Sequence, residues 1–258
     1  MENFLTKIQF LKREEIEARK IKCPLSELKA RIVDLPPSRD FRAALSGEKL
    51  SLVAEVKRAS PSAGIISSDF DPAAIARFYA EGGASAISVL TEKNYFGGHL
   101  DHLRAVKEAV ELPVLRKDFI FDDYQLYESR AAGADAVLLI SELLAEEEMK
   151  ELLELGSSLG LSCLVEAHGR RELEKTLAAG SEIVGINNRN LKTMEIDLKI
   201  SIELLPLIPA GRIKVSESGI RSGEEAARLA GAGADAILVG EALIRSDDKI
   251  GKIRELLG

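Results

Sequence analysis

Four stretches of this chain repeat one another: EGGASAISVL (81–90), AAGADAVLLI (131–140), AAGSEIVGIN (178–187) and AGAGADAILVG (230–240). Each joins a helix end, a glycine and a short apolar run. The matching glycines, Gly83, Gly133, Gly180 and Gly233, stand 50, 47 and 53 residues apart. That interval is too long for one strand–helix unit and suits two. Between the repeats lie four more apolar runs, SLVAEVK (51–57), PVLRKDF (113–119), LSCLVEA (161–167) and RIKVSES (212–218). Apolar runs that alternate with helices imply a parallel sheet buried on both faces. Four near-equal double units favour a closed (β/α)8 TIM barrel over the runner-up, an open doubly wound sheet.

The intervening segments carry helix signals. Asp71-Pro72 supplies an N-cap and a proline at the first helical position. Asp122 with Gln125, and Ser222 with Glu225, have capping-box spacing, and Glu146–Glu148 place acid in a first turn. Residues 1–258 read as one barrel domain in which residues 1–48 form an N-terminal helical extension. In that extension Phe4, Ile8 and Leu11 share a helical face. Pro36-Pro37 breaks the chain, and Ser38 is expected to cap a short helix through Leu45. The extension has three open destinations: the barrel bottom, its top, or a partner. Its deletion is expected to harm substrate binding more than folding.

Charge narrows the function classes. Lys plus Arg is 35 against 42 Asp plus Glu, a net charge of −7. This excludes a nucleic-acid binder that works through bulk positive charge. It leaves room for a local anion site. The two cysteines have no metal or disulfide spacing, and no run is long and apolar enough to span a bilayer. A cytoplasmic location, with no membrane partner, is expected.

In a barrel the chemistry sits at the C-terminal strand ends. Alternation puts Val53, Glu55 and Lys57 on one face of the first strand, pointing inward, with Ala54 and Val56 toward the helices. A buried acid and base must pair or react. Lys117 shares a face with Leu115 and enters the same cavity. Glu166 ends the fifth strand as a candidate proton acceptor. His168, just beyond, reads as a cap or surface residue, and His99 with His102 lack a third metal ligand. Asn187 and Arg189 share a face of the sixth, where an arginine fork suits carboxylate or phosphate. Glu217 is a further inward acid. Gly219 and Gly240 follow the seventh and eighth strands, the recurrent phosphate position in barrels. No dinucleotide fingerprint and no metal cluster appears, so acid–base chemistry on a small phosphorylated substrate is expected, without cofactor or metal.

In this order the residues resemble indole-3-glycerol phosphate synthase of tryptophan biosynthesis. The segments that carry the resemblance are AEVKRASPSAG (54–64), TEKNYFGG (91–98), LRKDFI (115–120), VEAH (165–168), GINNRNL (185–191) and SESGI (216–220). It covers nearly the whole chain, extension included. It implies a decarboxylating, dehydrating ring closure of 1-(o-carboxyphenylamino)-1-deoxyribulose 5-phosphate. Lys117 then looks like a general acid, Lys57 a second cation, Glu166 the general base and Glu55 an orienting group. Asn187 and Glu217 would contact substrate, and Arg189 would support its negative charge. Ser60, Ser218, Gly219 and Gly240 would hold phosphate, and Phe96 would pack on the aromatic ring. Glu241 departs from relatives with a small hydroxyl residue, so only its backbone N–H is expected to face phosphate. The resemblance leaves room for association with other enzymes of the pathway. Two alternatives stay open: another phosphate-binding barrel such as phosphoribosylanthranilate isomerase, and a noncatalytic barrel that binds a phosphometabolite.

Overall fold

The structure, a computed structural model, describes residues 4–60, 64–65, 70–191 and 193–258, with the side chains of Phe4, Ser60 and Ile65 outside the described set. Parallel strands β1 (Ser51–Val56), β2 (Ala86–Leu90), β3 (Val114–Ile120), β4 (Ala136–Ile140), β5 (Ser162–Ala167), β6 (Ile183–Asn187), β7 (Ile213–Glu217) and β8 (Ala236–Val239) form one barrel. Pairing of Ser51 with Ala236 and Val53 with Leu238 joins β1 to β8 and closes it, which settles the choice against an open sheet.

Helices α1 (Phe4–Lys22), α2 (Leu25–Ile32) and α3 (Phe41–Ala44) precede the barrel. Then α4 (Pro72–Gly82), α5 (Leu100–Ala109), α6 (Asp123–Ala131), α7 (Glu146–Ser158), α8 (Arg170–Ala178), α9 (Lys199–Leu204) and α10 (Gly223–Gly231) alternate with strands. After β8 come α11 (Glu241–Arg245) and α12 (Lys249–Leu257). The caps form as expected. Asp71 accepts the N–H groups of Ala73 and Ala74 at 3.0 Å, and Asp122–Gln125 and Ser222–Glu225 close both capping boxes. The four repeat glycines have φ of 103°, 92°, 90° and 97°. This left-handed turn, which a Cβ would strain, ends each helix and feeds the next strand.

Strand alternation divides the core into two shells. Leu52, Ala54, Val56, Val165 and Val184 face the helices. Val53, Leu115, Leu164, Ile183, Val215 and Leu238 fill the barrel interior. The polar residues that continue these inward rows therefore emerge together at the C-terminal mouth.

The extension reaches both ends of the barrel. On α1 the buried face is Leu5, Ile8, Lys12 and Ile16, with Leu11 only half-buried. The face expected from Phe4, Ile8 and Leu11 is thus rotated, because Lys12 has a buried partner; the Phe4 side chain is outside the described residues. Near the mouth, Gln9 donates to the Leu143 carbonyl at 3.4 Å. Further along, Ile16 and Leu28 pack with Tyr124 of α6. At the bottom Phe41 and Leu45 are fully buried against the barrel interior. The cap of this last helix is Asp40, which accepts from Ala43 N–H at 2.8 Å, two residues beyond the expected Ser38. Since α3 plugs the core, the structure argues against deletion of the extension sparing the fold.

Charge ties α1 to β3. Arg116 and Asp118 occupy the outward face of β3, where apolar residues are the rule, and both are buried. Asp118 pairs with Lys12 at 2.9 Å and Arg116 at 3.1 Å and accepts from Thr91 at 2.7 Å. Arg116 pairs with Glu128 at 2.9 Å, and Glu128 with Arg19 of α1 at 2.8 Å. Burial disfavours the charged carboxylate, but Lys12 and Arg116 outweigh it and hold Asp118 well below the usual carboxylate range.

Lys12→Met should therefore cost about 3 kcal/mol, since removal of one partner strands a buried charge. The urea midpoint reads this directly, and a loss below about 1 kcal/mol would show that apolar contacts alone hold α1. The sign with pH follows from the depressed pKa. The contribution is present above about pH 4 and is lost as pH falls through the folded-state value, so the two proteins converge in acid.

Candidate active site

The inward rows deliver six ionisable or amide side chains to one mouth. Glu55 ends the β1 row and pairs with Lys57 at 3.0 Å. Lys117 enters from β3 at an irregularity, where pairing with β4 jumps from Arg116–Val137 to Ile120–Leu139. Its ammonium lies 3.2 Å from Glu166 of β5 and 3.3 Å from Glu217 of β7. Asn187, ending β6, is buried beside them and accepts the Arg189 N–H at 2.9 Å.

The carboxylates around Lys117 differ in kind. Burial alone would strip the proton from Lys117, but Glu166, Glu217 and Glu55 outweigh it and raise its proton affinity far above that of an ordinary lysine. Burial also opposes the Glu166 charge, yet Lys117, then His168 and Asn187, hold Glu166 well below the usual carboxylate range. Glu217 goes the other way. Burial, helped by the Glu166 charge and only partly offset by Lys117, pushes it up to about 8. The pair with Lys117 is electrostatic, since neither Glu217 oxygen has an aligned hydrogen bond. Two carboxylates on one ammonium thus hold opposite protonation states near neutrality.

The cavity has two unlike ends that share Glu55, Lys57, Lys117, Arg189, Ser218 and Glu241. One end is walled by Leu90, Phe96, Phe119, Ile140, Leu191 and Met194. The other is lined by Gly219, Gly240, Arg221, Arg245 and Lys252. Phe96 therefore stands at the apolar end, and Arg189 borders both. Ser218 and Gly219 follow β7 with φ of 69° and 84°, so two successive left-handed residues curve the backbone there. A Cβ on Gly240 would run into Glu55 and crowd Lys57. Glu241 turns along α11 and pairs with Arg245 at 3.0 Å. Ser60 sits in a two-residue ladder with Gly64, and its side chain is outside the described residues, as are Pro61, Ser62 and Ala63 of the same motif.

Three residues escaped the sequence reading, and a fourth, His168, was assigned the wrong setting. The buried Glu92 accepts the N–H groups of Asn94, Tyr95 and Phe96 at 2.8, 2.7 and 3.2 Å and so shapes the loop that presents Phe96. Asn188 donates to the Glu217 and Ser218 carbonyls at 2.9 and 3.1 Å, which pins the turn after β7. Gly185 of β6 makes room for Glu217, because a Cβ there would strike its carboxylate. His168 is not a solvated cap: it lies between Glu166 and Glu172, at 3.2 and 3.3 Å. Glu142, His168 and Glu172 bring ligand-type atoms within 4.8 Å of one another, but both ring nitrogens already face carboxylates. His99 caps α5 by accepting the Asp101 N–H at 3.1 Å.

A sequence model described as indole-3-glycerol phosphate synthase matches residues 5–256. The chain belongs to this family. An indole-3-glycerol phosphate synthase of Dehalococcoides mccartyi is 53% identical over 94% of this chain and 95% of its own. Another, from Carboxydothermus hydrogenoformans, is 46% identical over 98% of this chain and 99% of its own. Among solved structures, 3-hexulose-6-phosphate synthase from Salmonella typhimurium superimposes with a TM-score of 0.64 at 14% identity, over 80% of this chain and 96% of that one. At that identity it shows the barrel fold alone. Membership of the indole-3-glycerol phosphate synthase family sets aside the isomerase and the noncatalytic barrel. The family acts on a small phosphorylated substrate.

Glu217→Gln gives a stability test of the mouth. The folded state holds a proton on Glu217 that an unfolded glutamate releases near 4.5. Its contribution is full below that value and is lost as pH rises toward about 8. A glutamine cannot ionise, so the Tm of the variant relative to the parent should rise between pH 5 and pH 9. A difference that stays constant across this range would contradict a protonated Glu217.

Proposed function

We propose that this chain converts 1-(o-carboxyphenylamino)-1-deoxyribulose 5-phosphate to indole-3-glycerol phosphate, with release of carbon dioxide and water. One observation carries the reading. The cavity is apolar at one end and lined by glycine backbone and cations at the other, with Lys117 between them. An anthranilate ring suits the first end, where Phe96 packs on it. A phosphate suits the second, held by the N–H groups of Gly219, Gly240 and Glu241 with the hydroxyl of Ser218; the family resemblance adds Ser60, whose side chain lies outside the described residues. The Glu241 carboxylate is engaged by Arg245 and so need not face the anion.

The reacting atoms then lie beside Lys117. The ring carbon that bears the carboxylate attacks the ketone, whose π electrons move to oxygen, and Lys117 donates a proton there. The bond to carbon dioxide breaks and its electrons restore the aromatic ring. Lys57 is the second cation beside the departing carboxylate and hydroxyl, and Arg189 supports the anionic substrate. The hydroxyl takes a proton from the Lys57 ammonium and leaves as water, and Glu166, ionised against two cations, accepts the proton released as the ring double bond forms. Glu55 orients Lys57 through the 3.0 Å pair. Asn187 and the protonated Glu217 hydrogen-bond the sugar hydroxyls or the ring nitrogen. No cofactor is required by these steps. The net charge of −7 supports a small metabolite over a nucleic acid as partner. Among the described residues no helix is long and apolar enough to cross a membrane, which agrees with a cytoplasmic site of action.

Indole fluorescence after addition of the carboxyphenylamino substrate tests the reading. The chain has no Trp, so its background is four Tyr and eight Phe. Folded protein that yields no signal would sink it. Lys117→Ala should lower kcat by about a thousand-fold, the scale of a lost acid, with circular dichroism unchanged. Near-normal turnover would remove Lys117 from its role.

A further inference from the structure

A carboxylate that accepts a proton in one step must present the right oxygen in the right direction. Glu166 Oε2 faces Lys117 at 3.2 Å. Its other oxygen, Oε1, faces His168 Nε2 at 3.2 Å. Strand alternation explains the second contact, since residues two apart point to the same side. The contact is poorly aligned for a hydrogen bond, so its attraction is electrostatic.

His168 is itself held from behind. Glu172, in the first turn of α8, lies 3.3 Å from Nδ1 through Oε2. The same oxygen accepts the His168 backbone N–H at 2.7 Å. Main chain and ring are thereby tied to one atom, and the side chain is only 9% exposed. The charged groups facing the ring are Glu166 from β5, Glu172 from α8, and Glu142 from the 3₁₀ turn Ser141–Leu143 after β4. Lys175, one turn along α8, donates to the Ser141 and Leu144 carbonyls at that turn, and Lys117 lies beyond Glu166. A surface histidine needs none of this surround.

We propose that His168 is the positioning residue of Glu166: it fixes the carboxylate in the direction that meets Lys117 and sets a second positive charge against it. The inference rests on the reading of Glu166 as the proton acceptor. Burial would by itself neutralise the imidazole, but Glu166 and Glu172 outweigh it and push its pKa up to about 10. The ring is thus cationic at working pH. Removal of that cation raises the proton affinity of Glu166, so Glu166 needs a higher pH to ionise.

The test compares His168→Gln and Glu172→Gln with the parent protein from pH 8.5 down to the lowest pH at which all remain folded by circular dichroism. The acidic limb of His168→Gln should lie about one pH unit above that of the parent, so that on the limb its kcat, relative to its value at pH 8, is about ten times lower than the parent's at the same pH. KM should stay within about two-fold, because the substrate contacts remain. Glu172→Gln, which loosens the histidine, should move the limb in the same direction by less. It decides alone if His168→Gln fails to fold. A limb that stays in place in both variants overturns the inference, whether kcat is unchanged or falls uniformly as from a merely structural defect. Glu166→Gln is measured alongside. If it keeps its kcat, the proton-acceptor reading fails first; if it is inactive while the limb of His168→Gln stands still, only the role of His168 fails.

Discussion

Lys117 is charged inside a protein, and much of this structure serves to make that tolerable. Its strand is polar on both faces. Inside the barrel Glu166 and Glu217 pair with the ammonium directly. Outside, the flanking Arg116 and Asp118 are buried among Lys12, Glu128 and Thr91. A β strand between a packed interior and a helical layer offers little water to the inner set and almost none to the outer. Each charge therefore needs a fixed counter-charge, and the outer set obtains one from α1. The extension is thus bound to the strand that carries the reacting lysine.

The same low-dielectric site divides labour between acids of identical chemistry. Glu166 has three favourable neighbours and remains ionised; Glu217 has one, faces Glu166 as well, and is pushed up to about 8. Environment sets the role. Gly185 belongs to this division, because its missing Cβ is the space the Glu217 carboxylate occupies. The layer of side chains that would fill an ordinary barrel at this height has been given over to functional groups.

The barrel and the inward charges were legible because both follow from local rules. Period-two alternation assigns Glu55, Lys117, Glu166 and Glu217 to the interior once the strands are recognised, and the four repeat glycines mark where every second strand begins. What escaped depends on distant partners. Lys12 is a routine surface residue on a charged helix until Asp118, 106 positions later in the chain, stands beside it. Glu92 resembles any loop acid, although three N–H groups converge on it. His168 resembles a cap because Glu172 supplies half its setting from the next helix and Glu166 the other half. Asp40 rather than Ser38 caps α3, a two-residue displacement that only the helix boundary could settle.

The route of the extension also bears on how the chain reaches its final shape. It precedes every barrel strand in the chain, yet its partners come late. Arg42 donates to the Gly211 carbonyl at 3.0 Å across 169 positions, and Phe41 sits against strands from the far half of the barrel. Pairing of β1 with β8 waits longer still. Contacts of such separation impose loop-closure entropy before they return stability, which slows the final stage of folding. Until that stage, the apolar faces around Leu5, Ile8, Phe41 and Leu45 have no native cover. The segment that plugs the bottom of the barrel and reaches its mouth is thus exposed to wrong partners for most of the folding process.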